Sequence, residues 1–225
     1  PLALRAPSSS SSSFKLSLPQ QAVLTLALLA VLVFSAQRIA SSIAIRDVRG
    51  ETSVGKGDLA VSFGNHLMAL DAQDAKAWSA EGSALALAGK ADEAYSAYQK
   101  SLELNPNYVE SLAQMANLRI IQGKPGEALE LCDKALSITP NYSGPIWTKG
   151  VSLFQLKRYE ESAKSFENFL TYAPRDTQTY LNLGVCYIQL HRKADAVAAW
   201  KKAYEFDRSN TQALTYLKSQ GVVLK

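Results

Sequence analysis

One stretch of the sequence comes close to a nucleotide-binding motif: GETSVGKG, which begins at Gly50. A phosphate-binding P-loop has the pattern G-x-x-x-x-G-K-[ST], in which backbone amides and the Lys hold phosphates and the hydroxyl binds Mg²⁺. Gly55 and Lys56 also fit, but Gly57 stands where the hydroxyl is required. The preceding residues 43–49, IAIRDVR, carry three charges and do not suit the buried strand that leads into a P-loop. We therefore interpret this stretch as a linker and predict that it binds no nucleotide.

No other group of residues has the types and spacing of a catalytic or metal site. His66 and His191 are isolated in the sequence, and Cys132 and Cys186 lack a C-x-x-C spacing. Neither G-x-S-x-G nor H-E-x-x-H occurs in the chain. The sequence therefore predicts no enzyme activity, no metal and no cofactor, and two cysteines that stay reduced as core thiols.

Basic and acidic residues are balanced over most of the chain. The sequence is 47% apolar and 20% charged, which is typical of a globular protein and argues against wholesale disorder. From Asp58 onward there are 18 basic and 18 acidic residues, whereas residues 1–57 have six basic and two acidic ones. A balanced domain lacks the basic surface that nucleic-acid binding requires. We therefore expect no nucleic-acid partner.

The N-terminal part divides into a leader, an apolar segment and a linker. Residues 1–17 are rich in Ser and free of acids, as at the end of an organelle transit peptide, although a disordered Ser tract has the same composition. The 22 uncharged residues Leu16–Gln37 follow. As a helix they would be about 33 Å long, enough for a bilayer core of about 30 Å. We predict a single transmembrane helix with its extension over residues 18–45 and a linker over residues 46–57.

Two other interpretations of the apolar segment remain open, a signal-peptide core and a buried helix of a globular domain. Its centre has the length of a signal-peptide core, but the cleavage site that follows is poor. The flanking charges predict the orientation, because Arg38, Arg46, Arg49 and Lys56 follow the segment and only two basic residues precede it. The C-terminal part is therefore expected on the cytoplasmic or stromal side of the membrane.

From Ala75 the sequence repeats with a period of 34 residues and without gaps. The four units are residues 75–108, 109–142, 143–176 and 177–210. Position 8 of each unit is small: Gly82, Ala116, Gly150 and Gly184. Position 24 is large in three units of the four: Tyr98, Cys132, Phe166 and Trp200. Together with a Pro near the end of three units, this pattern resembles the tetratricopeptide repeat (TPR) family.

The resemblance implies an all-α fold, a right-handed solenoid in which each unit is a helical hairpin. We expect helix A at positions 1–14 of each unit and helix B at about positions 18–31. Residues 58–74 are interpreted as helix B of a degenerate earlier unit, with Ala60 and Leu67 among its core residues. Residues 211–225 are interpreted as a capping helix and tail.

In TPR proteins helix A lines the concave surface that holds partners. Toward the C-terminal half, the residues at these positions become apolar, and a solvent-facing apolar patch usually marks an interaction site. The candidate partner-binding groove consists of Asn117, Ile120, Trp147, Val151, Phe154, Leu181, Val185 and Ile188. Only Asn117 fits the Lys, Arg and Asn clamp that holds acidic chaperone tails, so we expect an apolar helix or loop as the partner. Alternatively, these side chains only pack between helices, or the tail GVVLK occupies the groove.

An N-terminal span, a short basic linker and a few TPR units resemble the thylakoid TPR proteins that assist photosystem I assembly. The Ser-rich leader suits a nuclear-encoded chloroplast version. The resemblance implies a membrane-anchored scaffold on the stromal side of the thylakoid, which holds subunits of a membrane complex or other assembly factors. An import or client receptor on an organelle envelope would have the same layout and stays open as the alternative.

Overall fold

The computed structural model describes residues 73–222. The helices in this range are α1 Ala75–Leu87, α2 Ala91–Leu104, α3 Val109–Ile121, α4 Pro125–Ile138, α5 Ser143–Gln155, α6 Tyr159–Tyr172, α7 Thr177–Gln189, α8 Lys193–Phe206 and α9 Thr211–Ser219. The predicted leader, transmembrane helix, linker, degenerate half-unit and last three residues lie outside the described residues. None of the helices within residues 73–222 has the length and apolar character that crossing a membrane requires.

Helix A occupies positions 1–13 of each 34-residue unit and helix B positions 17–30, so the period of the sequence is also the period of the helices. The turn between them begins one residue earlier than predicted, and position 15 within it adopts a left-handed conformation. Gly89 and Gly123 have φ of 77° and 71°, and Lys157 and His191 have 60° and 59°. The next amide then bonds back to the fifth residue before it, as from Lys90 N to Leu85 O at 2.9 Å. This Schellman motif ends each helix A within one turn.

Helix B starts without a side-chain cap, and an ion pair forms there in every unit. Position 16 is basic and position 19 is acidic throughout. The pairs are Lys90–Glu93 at 3.7 Å, Lys124–Glu127 at 3.6 Å, Arg158–Glu161 at 2.6 Å and Arg192–Asp195 at 2.8 Å. All of these side chains are about half exposed, so each pair adds little stability by itself. The acid in the first turn also favours the positive end of the helix dipole.

The two helices of a unit approach most closely at position 8. A Cβ built on Gly82 would lie 2.7 Å from the Tyr98 ring, and one on Gly150 would lie 2.6 Å from Phe166. On Gly184 it would lie 2.2 Å from the indole of Trp200. The small residue at position 8 is therefore required by the large ring at position 24.

Successive units stack so that the A helices are close together. Each helix packs against the next one in the chain, and α1 also contacts α3 while α3 contacts α5. The B helices of the described residues make no comparably close contacts with each other. The A helices therefore form the tighter, concave side of the solenoid. This all-helical stack of hairpins confirms the solenoid predicted for the repeat region.

Candidate functional site

The structure places the eight predicted groove residues in different environments. Leu181 is 1% exposed and belongs to the core of the C-terminal half, so it presents no surface to a partner. Five others are half-buried side chains that pack against this core: Trp147, Val151, Phe154, Val185 and Ile188. Asn117 is exposed and Ile120 is half-buried.

Three of the predicted residues meet at one cavity of about 490 Å³ between the A helices of the second and third units. Its lining residues come from α3, α5 and α6: Asn117, Ile120, Ile121, Gly144, Trp147, Thr148 and Phe169. The volume is within the range of about 300–1,000 Å³ that is usual for ligand clefts. Ile121 is 78% exposed, the most exposed of the large apolar side chains described. We call this cavity the α3–α5 groove.

The polar groups of the α3–α5 groove are uncharged. The hydroxyl of Thr148 donates to Asn117 Oδ1 at 2.6 Å and is also within 3.1 Å of the Gly144 carbonyl. This leaves the Asn117 amide nitrogen, on an exposed residue, to face a ligand. A carboxamide beside an indole suits a peptide backbone, because it offers the complementary hydrogen bond while the ring supplies apolar contact area.

The carboxylate of α3 is already used within the protein. Glu110, at the start of α3, accepts a hydrogen bond from the Tyr142 hydroxyl at 2.6 Å and one from Gln114 at 3.0 Å. These bonds link the second unit to the turn before α5. The lining residues of the groove are apolar apart from Thr148 and one neutral amide, Asn117, whereas a clamp for charged termini would need cations.

Phe169 contributes to the α3–α5 groove although sequence reasoning did not select it. It occupies position 27 of helix B, where the other units have Ser101, Ala135 and Ala203, all 0% exposed. A large ring does not fit this small site, and Phe169 lies half-buried at the groove instead. In the sequence, Phe169 could have been identified because it is the large residue at a position where the other three units have Ser or Ala.

The exchange at position 27 also changes the junction between units. In the first junction, Ser111 at position 3 donates to Ser101 Oγ at 2.7 Å, and Ser101 donates to the Ala75 carbonyl at 2.7 Å. At the third junction the ring of Phe169 offers no acceptor. The buried hydroxyl of Thr179, at position 3 of the fourth unit, has no hydrogen-bond partner. Phe169 at position 27 therefore accompanies a buried hydroxyl, that of Thr179, without a hydrogen bond.

The C-terminal members of the predicted groove lie at a second, smaller cavity of about 250 Å³. It is lined by Val185, Ile188, Trp200, Tyr216, Ser219 and Gln220. The Trp200 and Tyr216 rings stack at 4.8 Å between centroids, and Val222 packs against the same core. Phe154 has an intramolecular ring partner, since it meets Tyr159 edge-on at 5.6 Å. The eight predicted residues are therefore not one continuous surface.

Within residues 73–222 no group of three potential metal ligands comes together. Cys132 and Cys186 are free thiols and both are 0% exposed. Burial raises the pKa of Cys132 to about 12 and also raises the pKa of Cys186, so neither forms a reactive thiolate at neutral pH. The absence of enzyme activity stays a prediction.

Three family models match the chain. Two models described as tetratricopeptide repeat cover residues 75–108 and 97–130, and the model of the N-terminal TPR region of Psidin covers residues 118–219. No curated protein matches the chain. Residues 75–219 therefore carry tetratricopeptide repeats, as the 34-residue period predicted.

Solved structures show the same fold. YrrB, described as a TPR protein with an unusual peptide-binding site, matches with a TM-score of 0.64 and 19% identity, over 78% of this chain and 90% of that one. A MamA protein matches with a TM-score of 0.62 and 14% identity, over 82% and 97%. MamA 41-end from Desulfovibrio magneticus RS-1 matches with a TM-score of 0.65 and 16% identity, over 76% and 96%. At these identities the likeness concerns the fold alone.

Proposed function

We propose that this protein is a non-enzymatic scaffold that holds an uncharged, apolar peptide segment of a partner protein in the α3–α5 groove. The observation that carries the proposal is the cavity on the concave side, where Trp147, Ile120 and Phe169 surround one exposed amide, Asn117. A TPR domain with this groove matches the general use of such repeats as protein-binding surfaces. The peptide-binding site for which YrrB is described supports the class of ligand.

Ile121 gives the sharpest test of this groove. Its side chain is 78% exposed, so Ile121→Asp should change the free energy of unfolding by less than about 0.5 kcal/mol. The new carboxylate would nevertheless have to be desolvated whenever an apolar segment occupies the groove. We expect Ile121→Asp to lose at least tenfold in the yield of proteins that co-purify in mild detergent.

Leu87→Asp is the matched control for this experiment. Leu87 occupies position 13 of the first unit, as Ile121 does in the second, and is 48% exposed, but it does not line the α3–α5 groove. It should retain the partners. Equal loss with both variants, or with neither, would show that the α3–α5 groove is not the binding surface.

A more specific role is proposed from the part of the chain before the repeats. The Ser-rich leader, the uncharged segment and the basic linker support a membrane anchor, with the repeats on the stromal side of the thylakoid and a role in photosystem I assembly. The predicted partners are then apolar helices or loops of membrane-complex subunits or other assembly factors. This layout agrees with a groove that lacks charges.

Fractionation separates this role from its alternative. The tagged chain should appear in thylakoids, resist extraction with alkaline carbonate and lose its repeats to protease added from the stromal side. Recovery in an organelle envelope would favour the import or client receptor, and release by carbonate would rule out the span. The co-purified proteins would identify the complex.

A further inference from the structure

The N-terminal face of the first unit has a buried carboxylate without a partner. Glu81, in the middle of α1, is 6% exposed, and its Oε2 makes no hydrogen bond. It lines a cavity of about 570 Å³ between α1 and α2, and the other lining residues are Trp78, Leu85, Glu93, Ser96, Ala97 and Lys100. Glu93 and Lys100 are already in ion pairs, with Lys90 and Glu103. Burying a carboxyl group without a hydrogen bond is costly, so the occupant of this cavity should supply one.

Residues at the same position of the other units show what packs against the side of helix A that carries Glu81. Glu81 is at position 7 of helix A. In the second unit the same position is Met115, which packs in one cluster with Ala97 and Tyr98 from helix B of the preceding unit. In the second unit position 7 therefore faces the unit before it.

A polar contact between the second and third units shows which residue of a preceding helix B meets position 7. Lys149, at position 7 of the third unit, is 2.6 Å from Asp133, at position 25 of the preceding helix B. At the next junction, position 25 is Glu167, which also reaches forward to accept a hydrogen bond from Tyr187 at 2.5 Å. At these two junctions position 25 is a polar side chain that bridges to the following helix A, at position 7 in one and at position 11 in the other. Counted back by one period of 34 from the first unit, position 25 is Asn65.

We propose that residues 58–72 dock on the face of α1 and α2 as the helix B of a preceding unit, with the Asn65 amide bonded to the Glu81 carboxyl group. A carboxamide suits this acid in either protonation state, because it donates to a carboxylate and accepts from a carboxylic acid. Ala60 falls at position 20 of this unit, which is small in each of the four described units: Ala94, Ala128, Ser162 and Ala196. The solenoid therefore starts before the first complete repeat.

Substituting Asn65 by a basic or by an acidic residue tests the contact with Glu81 in the full chain. Asn65→Lys should reproduce the Lys149–Asp133 ion pair in reversed order, whereas Asn65→Asp places a second acid against Glu81. We expect the equilibrium constant for unfolding to differ about tenfold between the two variants, as is typical for residues in contact. Hydrogen exchange in residues 75–104 should be slower for Asn65→Lys than for Asn65→Asp.

The matched control is Ser62, at position 22, which is exposed in all four described units. Ser62→Lys and Ser62→Asp should have similar stabilities. In a Glu81→Gln background the difference between the two position-65 variants should shrink to the level of this control. Equal behaviour of Asn65→Lys and Asn65→Asp, or a difference that persists in Glu81→Gln, would overturn the assignment.

Discussion

At the scale of single residues, the side chain at position 8 is smaller where the side chain at position 24 is larger. Three units combine Gly with a large ring, and the second unit combines Ala116 with Cys132, both 0% exposed. The missing volume of Cys132 leaves room for the extra methyl group of Ala116. Interiors are packed closely enough that such differences of a few atoms matter.

This complementarity predicts a compensating pair of substitutions. Cys132→Phe alone should destabilise the protein by about 1–3 kcal/mol, because the ring meets the Ala116 methyl group. Adding Ala116→Gly recreates the Gly150–Phe166 arrangement and should restore most of the loss. Urea unfolding of the two single variants and the double variant measures the coupling. Additive effects would mean that positions 8 and 24 of the second unit do not touch.

Glu81 predicts a dependence of stability on pH. Desolvation raises the pKa of Glu81 to about 7, with the Lys90 charge opposing the shift and the Glu93 charge adding to it. The folded protein then binds a proton that the unfolded chain, with a pKa near 4.5, releases. Stability from this group is therefore complete below about pH 4.5 and is lost as the pH rises to about 7. Urea midpoints between pH 4.5 and 8 should show this decline, and Glu81→Gln should flatten it.

At the scale of the helices, the turn between A and B depends on one backbone conformation. Position 15 is left-handed in every unit, and only two of the four units have Gly there. Non-Gly residues pay about 1–2 kcal/mol in this conformation. The units with Lys157 and His191 are therefore expected to have the less favourable turns.

Two pairs of substitutions measure the cost of these turns. Lys157→Gly and His191→Gly should each raise the free energy of unfolding by about 1 kcal/mol, because the strain at φ near 60° is removed. Gly89→Ala and Gly123→Ala should lower it by a similar amount, since no atom lies within 4 Å of the added methyl group and only the backbone conformation opposes it. Thermal or urea denaturation distinguishes these signs, and changes of the same sign in both pairs would contradict this account.

At the scale of the whole molecule, stability is shared between neighbouring units. The C-terminal core joins α6, α7, α8 and α9, and its members range from Ala163 to Leu217. A unit that loses its own packing therefore also removes a surface on which the adjacent units depend. Local damage should spread along the solenoid rather than stay within one hairpin.

Gly150→Leu tests this spread. Even a Cβ at this position would lie 2.6 Å from Phe166, so the larger side chain should separate α5 from α6 and cost about 1–3 kcal/mol or more. Hydrogen exchange should accelerate in residues 109–142 and 177–210 as well as in the third unit. Exchange that increases only in residues 143–176 would show that the units unfold independently, and unchanged exchange would place Gly150 outside the contact.

The repeat, the helical class and the close approach at position 8 could all be predicted from the sequence. These features are local and recur every 34 residues, so each unit supports the assignment of the others. The left-handed turn at Lys157 and His191 was harder to find, because neither residue type favours that conformation. The helix ends therefore differ from the predicted ones by one residue.

Which apolar side chains stay exposed follows from how the units pack together. Leu181 and Ile121 look alike in the sequence, but Leu181 is 1% exposed and Ile121 is 78% exposed. Exposure depends on what the neighbouring unit places against a residue, and the repeat pattern describes each unit alone. For the same reason the sequence did not place Phe169 at the groove. Its ring lies there because the small space at position 27 cannot hold a large side chain. The groove is thus a property of the junctions between units, which form only when the units stack.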